Sequence, residues 1–340
     1  MIPTIDIAAL FHPPSPARDA VDRAIMRAAG DSGFMAVTGL PAWAPQDAAA
    51  RAAVLRLFAV DEAIKRRLWR RKFAPDHPNV YHGWFPLQNG GMTYKEGIDM
   101  GRDLCDPDFA TDDSDPLTEP TPLPSEAELP GWRADASAYY RAMERLGAVL
   151  MRAIARGLGL TETFFDRAFA QGNSTLRLIR YPVRPPESFI GIEPEKVTVE
   201  HAGRQFHLIG GAHVDSGFVT LLAQDGIPGL QARAADGSWI DVPPADGTLA
   251  VNFGGLLERW TGGRIRATEH RVIAPGCERF SIPFFYEPRV DTLIAPLPLP
   301  GLAPFEPFVY GDHLWASMMR FIEFRGLESM RPPRGVPSAA

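Results

Sequence analysis

The chain has 340 residues, of which 45% are hydrophobic, and a formal net charge of -6 at pH 7. This length and apolar content can form one large domain or two ordinary domains with a buried core, and they argue against extensive disorder. The modest charge and the scattered basic residues disfavour binding to nucleic acid or to an anionic membrane surface. The expected partner is therefore a small molecule, and the oligomeric state stays open.

Cysteine usage and the chain ends predict a cytoplasmic protein. Cys105 and Cys277 are the two cysteines; two are too few for a disulfide framework, and their spacing is not that of a metal site. No stretch approaches the roughly 18 to 20 apolar residues of a membrane span, and the N-terminus lacks the pattern of a signal peptide. The proline-rich tail, residues 331–340, is expected to be disordered.

The first half of the chain, residues 1–170, predicts a mainly helical layer with a few strands. Strands are expected at Thr4–Ile7 and Phe34–Thr38, and a mixture of strand and loop near a cleft at Asn79–Gly101. The segment Asp106–Pro130, rich in proline and acidic residues, is interpreted as a long surface connection inside one domain. Helices are expected around Val21–Ala29, from about Gln46 to Arg67, and where Tyr139, Met143, Leu146, Leu150 and Ile154 recur at helical spacing.

The second half predicts a barrel of short strands. Turn signals such as Asp225-Gly226 and Asp236-Gly237 separate the strands at short intervals. We therefore expect a mainly β fold with flanking helices, a distorted jelly roll, as a single domain with its core at 171–295. A short helix near Leu256–Gly262 and a last helix at His313–Leu327, within 296–330, complete it. The expected strands are Leu176–Tyr181, Phe206–His213, Phe218–Ala223, Leu230–Arg233, Trp239–Val242, Thr248–Phe253, His270–Ile273 and Phe280–Tyr286.

The candidate chemistry centres on His213 and Asp215, two residues apart. In a strand, alternate side chains leave the same face, so this imidazole and this carboxylate can converge on one point. His270, in a segment rich in β-branched residues, is the best candidate for a third ligand. Two histidines and one carboxylate leave half of an octahedron open, as in non-haem Fe(II) oxygenases, whereas a structural zinc site would use four ligands. His-x-Asp alone is a weak signal, and the downstream residues make it more specific.

Arg279 and Ser281 extend this pattern. They stand at i and i+2, hence on one face of a buried strand, where a guanidinium and a hydroxyl can bind a carboxylate together. A buried arginine needs an anionic partner. The alternative is a surface arginine that pairs with an acidic side chain.

With these motifs, the sequence resembles the Fe(II)- and 2-oxoglutarate-dependent dioxygenases of the isopenicillin N synthase-like family. The resemblance covers nearly the whole chain. The runs that carry it most clearly are Leu176-Arg177-Leu178-Ile179-Arg180-Tyr181-Pro182, Ala212-His213-Val214-Asp215, Gly229-Leu230-Gln231, His270-Arg271-Val272 and Arg279-Phe280-Ser281-Ile282-Pro283.

The resemblance implies roles for six residues. His213, Asp215 and His270 would hold Fe(II), and Arg279 and Ser281 would bind the far carboxylate of 2-oxoglutarate, assisted by Tyr181. Ile179 departs from the family pattern, which has an asparagine there. The implied reaction uses dioxygen and 2-oxoglutarate, releases succinate and CO2, and oxidises, most simply hydroxylates, a small organic substrate.

Three other functions remain open from the sequence. The first is an oxidase of the isopenicillin N synthase or aminocyclopropane-carboxylate oxidase type, which needs no 2-oxoglutarate. The second is a barrel that binds a small ligand without turnover, and the third is a zinc hydrolase. On the substrate side, His207, His82, Lys95 and Arg102 are candidates with ordinary structural alternatives, Trp260 is expected to be a packing anchor, and Asn252 is expected to open a turn.

Overall fold

The computed structural model describes residues 1–45, 47–109, 111–112 and 114–336. In these described ranges, fifteen strands, numbered in chain order, form two large sheets and one small hairpin. The larger sheet contains, in spatial order, β1 (Thr4–Asp6), β2 (Phe34–Thr38), β11 (Leu249–Phe253), β8 (Val219–Gln224), β13 (Arg279–Tyr286), β5 (Thr175–Tyr181), β4 (Glu96–Met100) and β3 (Gly83–Phe85). The smaller sheet contains β10 (Trp239–Asp241), β9 (Leu230–Arg233), β12 (His270–Ile273), β7 (Arg204–His213) and β6 (Thr198–His201), and β14 (Leu293–Ile294) pairs with β15 (Phe308–Val309).

The two large sheets face each other as a distorted jelly roll, as the sequence predicts. Their inner faces share a small apolar cluster to which Phe34, Tyr181, Ile209, Leu230 and Val272 belong. Apart from the parallel pair β1 and β2, the strands of the larger sheet pair antiparallel. The barrel interior is therefore bounded by both sheets and is the place where alternate strand residues converge.

Eight α-helices and six 3-10 turns surround the barrel in the described part of the chain. The long helix α4 packs its apolar side on the outer face of the larger sheet, where Met143 and Leu150 join Phe284 in the main core. The helices are α1 (Pro16–Asp31), α2 (Ala48–Leu55), α3 (Glu62–Arg67), α4 (Trp132–Gly157), α5 (Asp166–Phe169), α6 (Pro194–Val197), α7 (Gly255–Trp260) and α8 (Tyr310–Met318); the 3-10 turns are Ala8–Phe11, Arg56–Ala59, Arg102–Leu104, Pro116–Thr118, Pro186–Phe189 and Glu328–Met330.

Several sequence expectations need correction, beginning with two helices. The single helix expected from Gln46 to Arg67 is divided into α2, a 3-10 turn and α3, with Val60 in an extended conformation between the turn and α3. Gln46 itself lies outside the described residues. The last helix ends at Met318 and not at Leu327.

The third correction concerns Asp106–Pro130, which is not confined to the surface. Glu119 is buried, and its carboxylate accepts hydrogen bonds from the backbone amides of Val80, Tyr81 and His82. The backbone donors of a neighbouring loop thus fix this connection inside the fold. Ala110 and Asp113, in the same segment, lie outside the described residues.

The first residue of the tail expected to be disordered, Arg331, is fixed in the fold. Arg331 is buried and forms ion pairs with Asp115 and Asp312, both at 2.8 Å. Residues 337–340 lie outside the described residues. In the part of the chain that the structure describes, no helix is long and apolar enough to cross a bilayer.

Candidate metal and co-substrate site

Strands β7 and β12 place two imidazoles side by side. His213 ends β7, and its cross-strand partner His270 begins β12, with the ring centroids 4.3 Å apart. Asp215 lies in the loop after β7, and its Oδ1 is 3.7 Å from Nε2 of each histidine. The sequence predicted this convergence by the alternation of side chains in a strand, whereas Asp215 lies two residues beyond the end of β7. The ligand atoms of the three residues lie within 4.8 Å of one another.

The backbone fixes the tautomers of both histidines. Nδ1 of His213 lies 2.8 Å from the Gly211 carbonyl oxygen, and Nδ1 of His270 lies 3.2 Å from that of Thr268. Because a carbonyl only accepts, each Nδ1 carries a proton, and Nε2 is the ring nitrogen that faces the centre and can bind a metal. Burial, and next the neighbouring His270, lower the pKa of His213 to about 4, although Asp215 acts in the opposite direction. His213 is therefore a neutral imidazole near pH 7, as a metal ligand must be.

Two side chains hydrogen-bond to the Asp215 oxygen that points away from the histidines, and the sequence analysis did not assign this role to either of them. Its Oδ2 accepts hydrogen bonds from Thr220 Oγ1 at 2.6 Å and from Asn252 Nδ2 at 2.7 Å. Burial would raise the pKa of Asp215, but the two histidines and these hydrogen bonds lower it overall. The remaining oxygen, Oδ1, faces the histidines as a carboxylate. Asn252 is thus a strand residue of β11 that supports the site, and the expectation of a turn residue is wrong.

This donor set fits Fe(II). Two imidazole nitrogens and one carboxylate oxygen, with supporting hydrogen bonds on the atoms that face away, form the open three-ligand site of non-haem iron oxygenases. It is the one group of three or more candidate metal ligands found among the described residues. A four-coordinate structural zinc site lacks its fourth ligand here.

Arg279, Ser281 and Tyr181 lie together on the inner face of the larger sheet. Arg279 on β13 is the cross-strand partner of Tyr181 on β5, and its guanidinium carbon is 5.3 Å from the Tyr181 ring centre. Arg279 is 1% exposed; Nη2 donates to Gln224 Oε1 at 3.1 Å, whereas Nη1 has no hydrogen-bond partner among the described residues. Burial lowers the pKa of Arg279. A buried guanidinium without a carboxylate partner fits an anionic ligand such as 2-oxoglutarate.

The other substrate-side candidates have different environments. His207 is exposed and contacts Phe189, and His82 is buried with Nδ1 2.9 Å from the Glu119 carbonyl oxygen. Arg102 pairs with Glu144 and Asp106. Lys95 pairs with Glu323, and its charge acts on His213. Trp260 is a packing residue, as expected, with Nε1 donating to Ala295 O and its ring against Phe165 and Phe218.

Comparison with known proteins identifies the family. The model of the 2OG-Fe(II) oxygenase superfamily matches residues 178–288. An isopenicillin N synthase of Streptomyces clavuligerus is 30% identical over 341 residues, which cover 96% of this chain and 97% of that protein. The chain belongs to the 2OG-Fe(II) oxygenase superfamily.

Two further relatives agree with this assignment. A 2-oxoglutarate-dependent dioxygenase of Aspergillus rugulosus is 30% identical over 261 residues, covering 71% of this chain and 74% of that protein. A full-length Neurospora crassa protein, crystallised with alpha-KG and 5-formyluracil, superposes with a TM-score of 0.77 at 26% identity and covers 94% of this chain and 96% of that one. The chain is thus an oxidoreductase of the dioxygenase type, in a superfamily named for Fe(II) and 2-oxoglutarate, and the jelly-roll prediction is confirmed.

Proposed function

We propose that this oxygenase hydroxylates a small organic substrate within a single domain spanning residues 1–340. One oxygen atom of O2 enters the substrate C–H bond as a hydroxyl group, and the other enters succinate as 2-oxoglutarate loses CO2. Fe(II) held by His213, Asp215 and His270 would supply the oxygen-activating chemistry when it is bound. Arg279, Ser281 and Tyr181 are proposed to bind the co-substrate.

Arg279 carries this proposal. It is fully buried, its charge is unpaired among the described residues, and its Nη1 lacks a partner. Leaving a buried guanidinium without an anion is costly, so a ligand carboxylate is the natural counterion. Ser281 lies two residues further along β13 on the same face, and its hydroxyl group can donate a hydrogen bond to the same ligand carboxylate. The roles of the protein residues are then to hold the co-substrate carboxylate, to keep His213 neutral and Asp215 ionised, and to orient the three metal ligands.

The test measures 2-oxoglutarate binding by calorimetry with Mn(II) in place of Fe(II), together with succinate formation by the Fe(II) enzyme. Arg279→Leu should abolish detectable 2-oxoglutarate binding while Mn(II) binding persists. Arg271→Leu is the control. Arg271 is also buried with an unpartnered Nη2, but its side chain lies on the face of β12 opposite to that of the metal ligand His270. Equal loss in both variants, or none in Arg279→Leu, would refute the assignment.

A second candidate is an oxidase that needs no 2-oxoglutarate. It is favoured by the isopenicillin N synthase relative that matches nearly the full length of this chain. In that case Arg279 and Ser281 would bind a carboxylate of the substrate itself. Substrate oxidation without 2-oxoglutarate, and without release of succinate, would select this function over the first.

A further inference from the structure

Beside the metal site lies a charged group of five side chains that neither the metal nor the co-substrate assignment uses: Arg70, Lys95, Asp99, Arg177 and Glu323. The Asp99 carboxylate accepts hydrogen bonds from both arginines. Arg177 donates from Nε at 2.5 Å and from Nη2 at 2.7 Å, and Arg70 donates from Nη2. Burial opposes ionisation of Asp99, but the two arginines lower its pKa. One carboxylate therefore serves two guanidinium groups.

Lys95 and Glu323 form the second part of this cluster. Lys95 Nζ lies 3.4 Å from Glu323 Oε1, with side-chain exposures of 18% and 7%. Burial would raise the pKa of Glu323, yet Lys95 and then Arg177 outweigh it and lower the pKa. Glu323 belongs to the segment after α8, which folds back over the barrel.

The cluster shares its walls with the metal site. Thr220, which holds Asp215, is the cross-strand partner of Phe285, and the Arg177 guanidinium carbon lies 5.3 Å from the Phe285 ring centre. On the other side, Phe321 meets the His213 ring edge-on at 6.1 Å, two residues before Glu323. Chemical groups bound at the cluster would therefore lie next to the metal ligands.

The cluster has more positive than negative charge. Arg70, Lys95 and Arg177 contribute three cations, and Asp99 and Glu323 contribute two anions, which leaves a net charge of +1. Arg70 Nη1 is buried without a partner, and Arg177 Nη1 has no hydrogen bond among the described residues. A buried surplus of one cation favours a ligand with a single negative charge.

Nearby Glu287 does not cancel this surplus near neutral pH. Its carboxyl group accepts hydrogen bonds from Phe218 N at 3.1 Å and from Tyr310 Oη at 2.9 Å. Burial raises the pKa of Glu287 to about 8. The group is therefore mostly protonated at pH 7 and adds little negative charge.

The walls around the cluster are aromatic. The Arg177 guanidinium carbon lies 5.5 Å from the Phe85 ring centre and 5.3 Å from that of Phe285, and Lys95 Nζ lies 5.7 Å from the Phe85 ring centre. Phe321 supplies another ring on the side of His213. Rings of this kind favour a flat, apolar body attached to the anionic group.

We propose that Arg177 and Lys95 recognise a carboxylate group of the substrate, and that Glu323 occupies the position of that carboxylate until the substrate binds. The inference rests on the proposed function and narrows its substrate to small monocarboxylic acids with an apolar, ring-sized body. The acid replaces Glu323 as the counterion of Lys95 and uses the free Nη1 of Arg177. The segment that carries Glu323 then lies over the bound acid.

Matched pairs of acids and primary amides test this inference on the full-length protein, loaded with Mn(II) and with 2-oxoglutarate in saturating amount. Phenylacetate, 3-phenylpropionate and benzoate are each compared by calorimetry with their amides. At least one acid should bind about tenfold more tightly than its amide, because a charge-assisted hydrogen bond contributes more than a neutral one. Arg177 is left intact, since its removal would also disturb Asp99.

Three variants separate this site from general effects. Lys95→Met should reduce the affinity for the acid to that for the amide and leave the amide unchanged. Glu323→Gln should tighten acid binding, because it removes the competing carboxylate. Lys72→Met is the control, since Lys72 donates to the Arg325 carbonyl oxygen of the same segment without contacting Glu323.

Two results would overturn the inference: no acid of the panel binds more tightly than its amide, or Glu323→Gln leaves acid affinity unchanged or lower. Binding of 2-oxoglutarate is titrated first and judged separately. If 2-oxoglutarate does not bind, the proposed function is wrong. The affinities of the acids and their amides for the metal-free protein then still show whether Arg177 and Lys95 bind a carboxylate.

Discussion

Asp215 has two carboxylate oxygens, and the side-chain donors found among the described residues reach one of them, Oδ2. Thr220 and Asn252 both donate to Oδ2, so that Oδ1 is directed at the two histidines. These donors orient a ligand without touching the metal, and partners of this kind commonly influence metal affinity.

Replacing Thr220 tests this support. Thr220→Val keeps the shape of the side chain and removes the hydroxyl donor, so we expect Mn(II) affinity to fall by about 10- to 100-fold in a calorimetric titration. Thr220→Ser keeps the donor and should stay close to the parent protein. Equal affinities for the valine and serine variants would show that the hydrogen bond does not matter.

Glu287 determines a pH dependence of stability. Its pKa is raised by burial from 4.5 to about 8, so between these values the folded protein holds a proton that the unfolded chain has released. The free energy of unfolding should therefore fall as the pH rises through this window, in total by on the order of 4 kcal/mol.

Glu287→Gln should flatten that dependence, because the amide does not titrate and can still accept the hydrogen bond from Phe218 N. Urea unfolding at pH 5, 6, 7 and 8 measures the slope, and the variant should gain stability relative to the parent as the pH rises. A parallel pair of curves would mean that Glu287 is not protonated in the fold.

At the scale of elements, α4 and β13 approach each other through a glycine. A Cβ built on Gly147 would lie 2.4 Å from Cγ of Tyr286, whose ring is stacked on Phe169 at 4.8 Å. The sequence pattern predicts α4 and its apolar stripe correctly. The need for Gly147 was not predictable, because it arises from the particular ring that β13 places opposite.

Gly147→Ala should destabilise the protein by about 1 to 3 kcal/mol through this overlap, although alanine is intrinsically better than glycine in a helix by about 1 kcal/mol. The control is Gly30→Ala near the end of α1, where the added Cβ meets only the Arg264 carbonyl oxygen at 3.5 Å. We expect that variant to unfold at an equal or higher temperature. Similar effects at both positions would contradict the role of the Tyr286 contact.

The division of the second helical region also belongs to this scale. The apolar spacing of Val54, Leu55 and Phe58 predicts one helix, and all three contact the main core. The interruption at Val60 and Asp61 follows from an extended backbone before α3. Asp61 before Glu62 was a signal for a new helix start that the periodic pattern obscured.

At the scale of the whole molecule, a buried ion pair joins Arg331, near the C-terminus, to Asp115, in the connection before α4. Arg331 Nε donates to Asp115 Oδ1 at 2.8 Å, 216 residues away, and Nη1 donates to Asp312. The sequence shows two acidic residues and one arginine but nothing that joins them. The metal ligands were predictable because their spacing and residue types carry the information, whereas this pair depends on the completed fold.

Arg331→Gln should lower the free energy of unfolding by about 3 to 5 kcal/mol, because it leaves Asp115 as a buried charge with a weaker partner. Arg334→Gln is the control; its side chain is 49% exposed and it pairs with the same Asp115 at 3.2 Å. That surface pair should contribute about 0 to 1 kcal/mol. If chemical denaturation gives both variants the same stability as the parent, the tail does not anchor the fold.

The alternation of side chains along β13 separates two demands on the protein. The side chains of Arg279 and Ser281 lie on the inner face of the sheet, whereas those of Ile282 and Phe284 lie on the outer face, in the core that packs against the helices. Replacing every second residue can thus alter ligand preference while the buried scaffold keeps its volume and shape. Directed diversification of this oxygenase should accordingly keep Arg279 and Ser281, vary the inward position Phe285, and hold the outward positions constant.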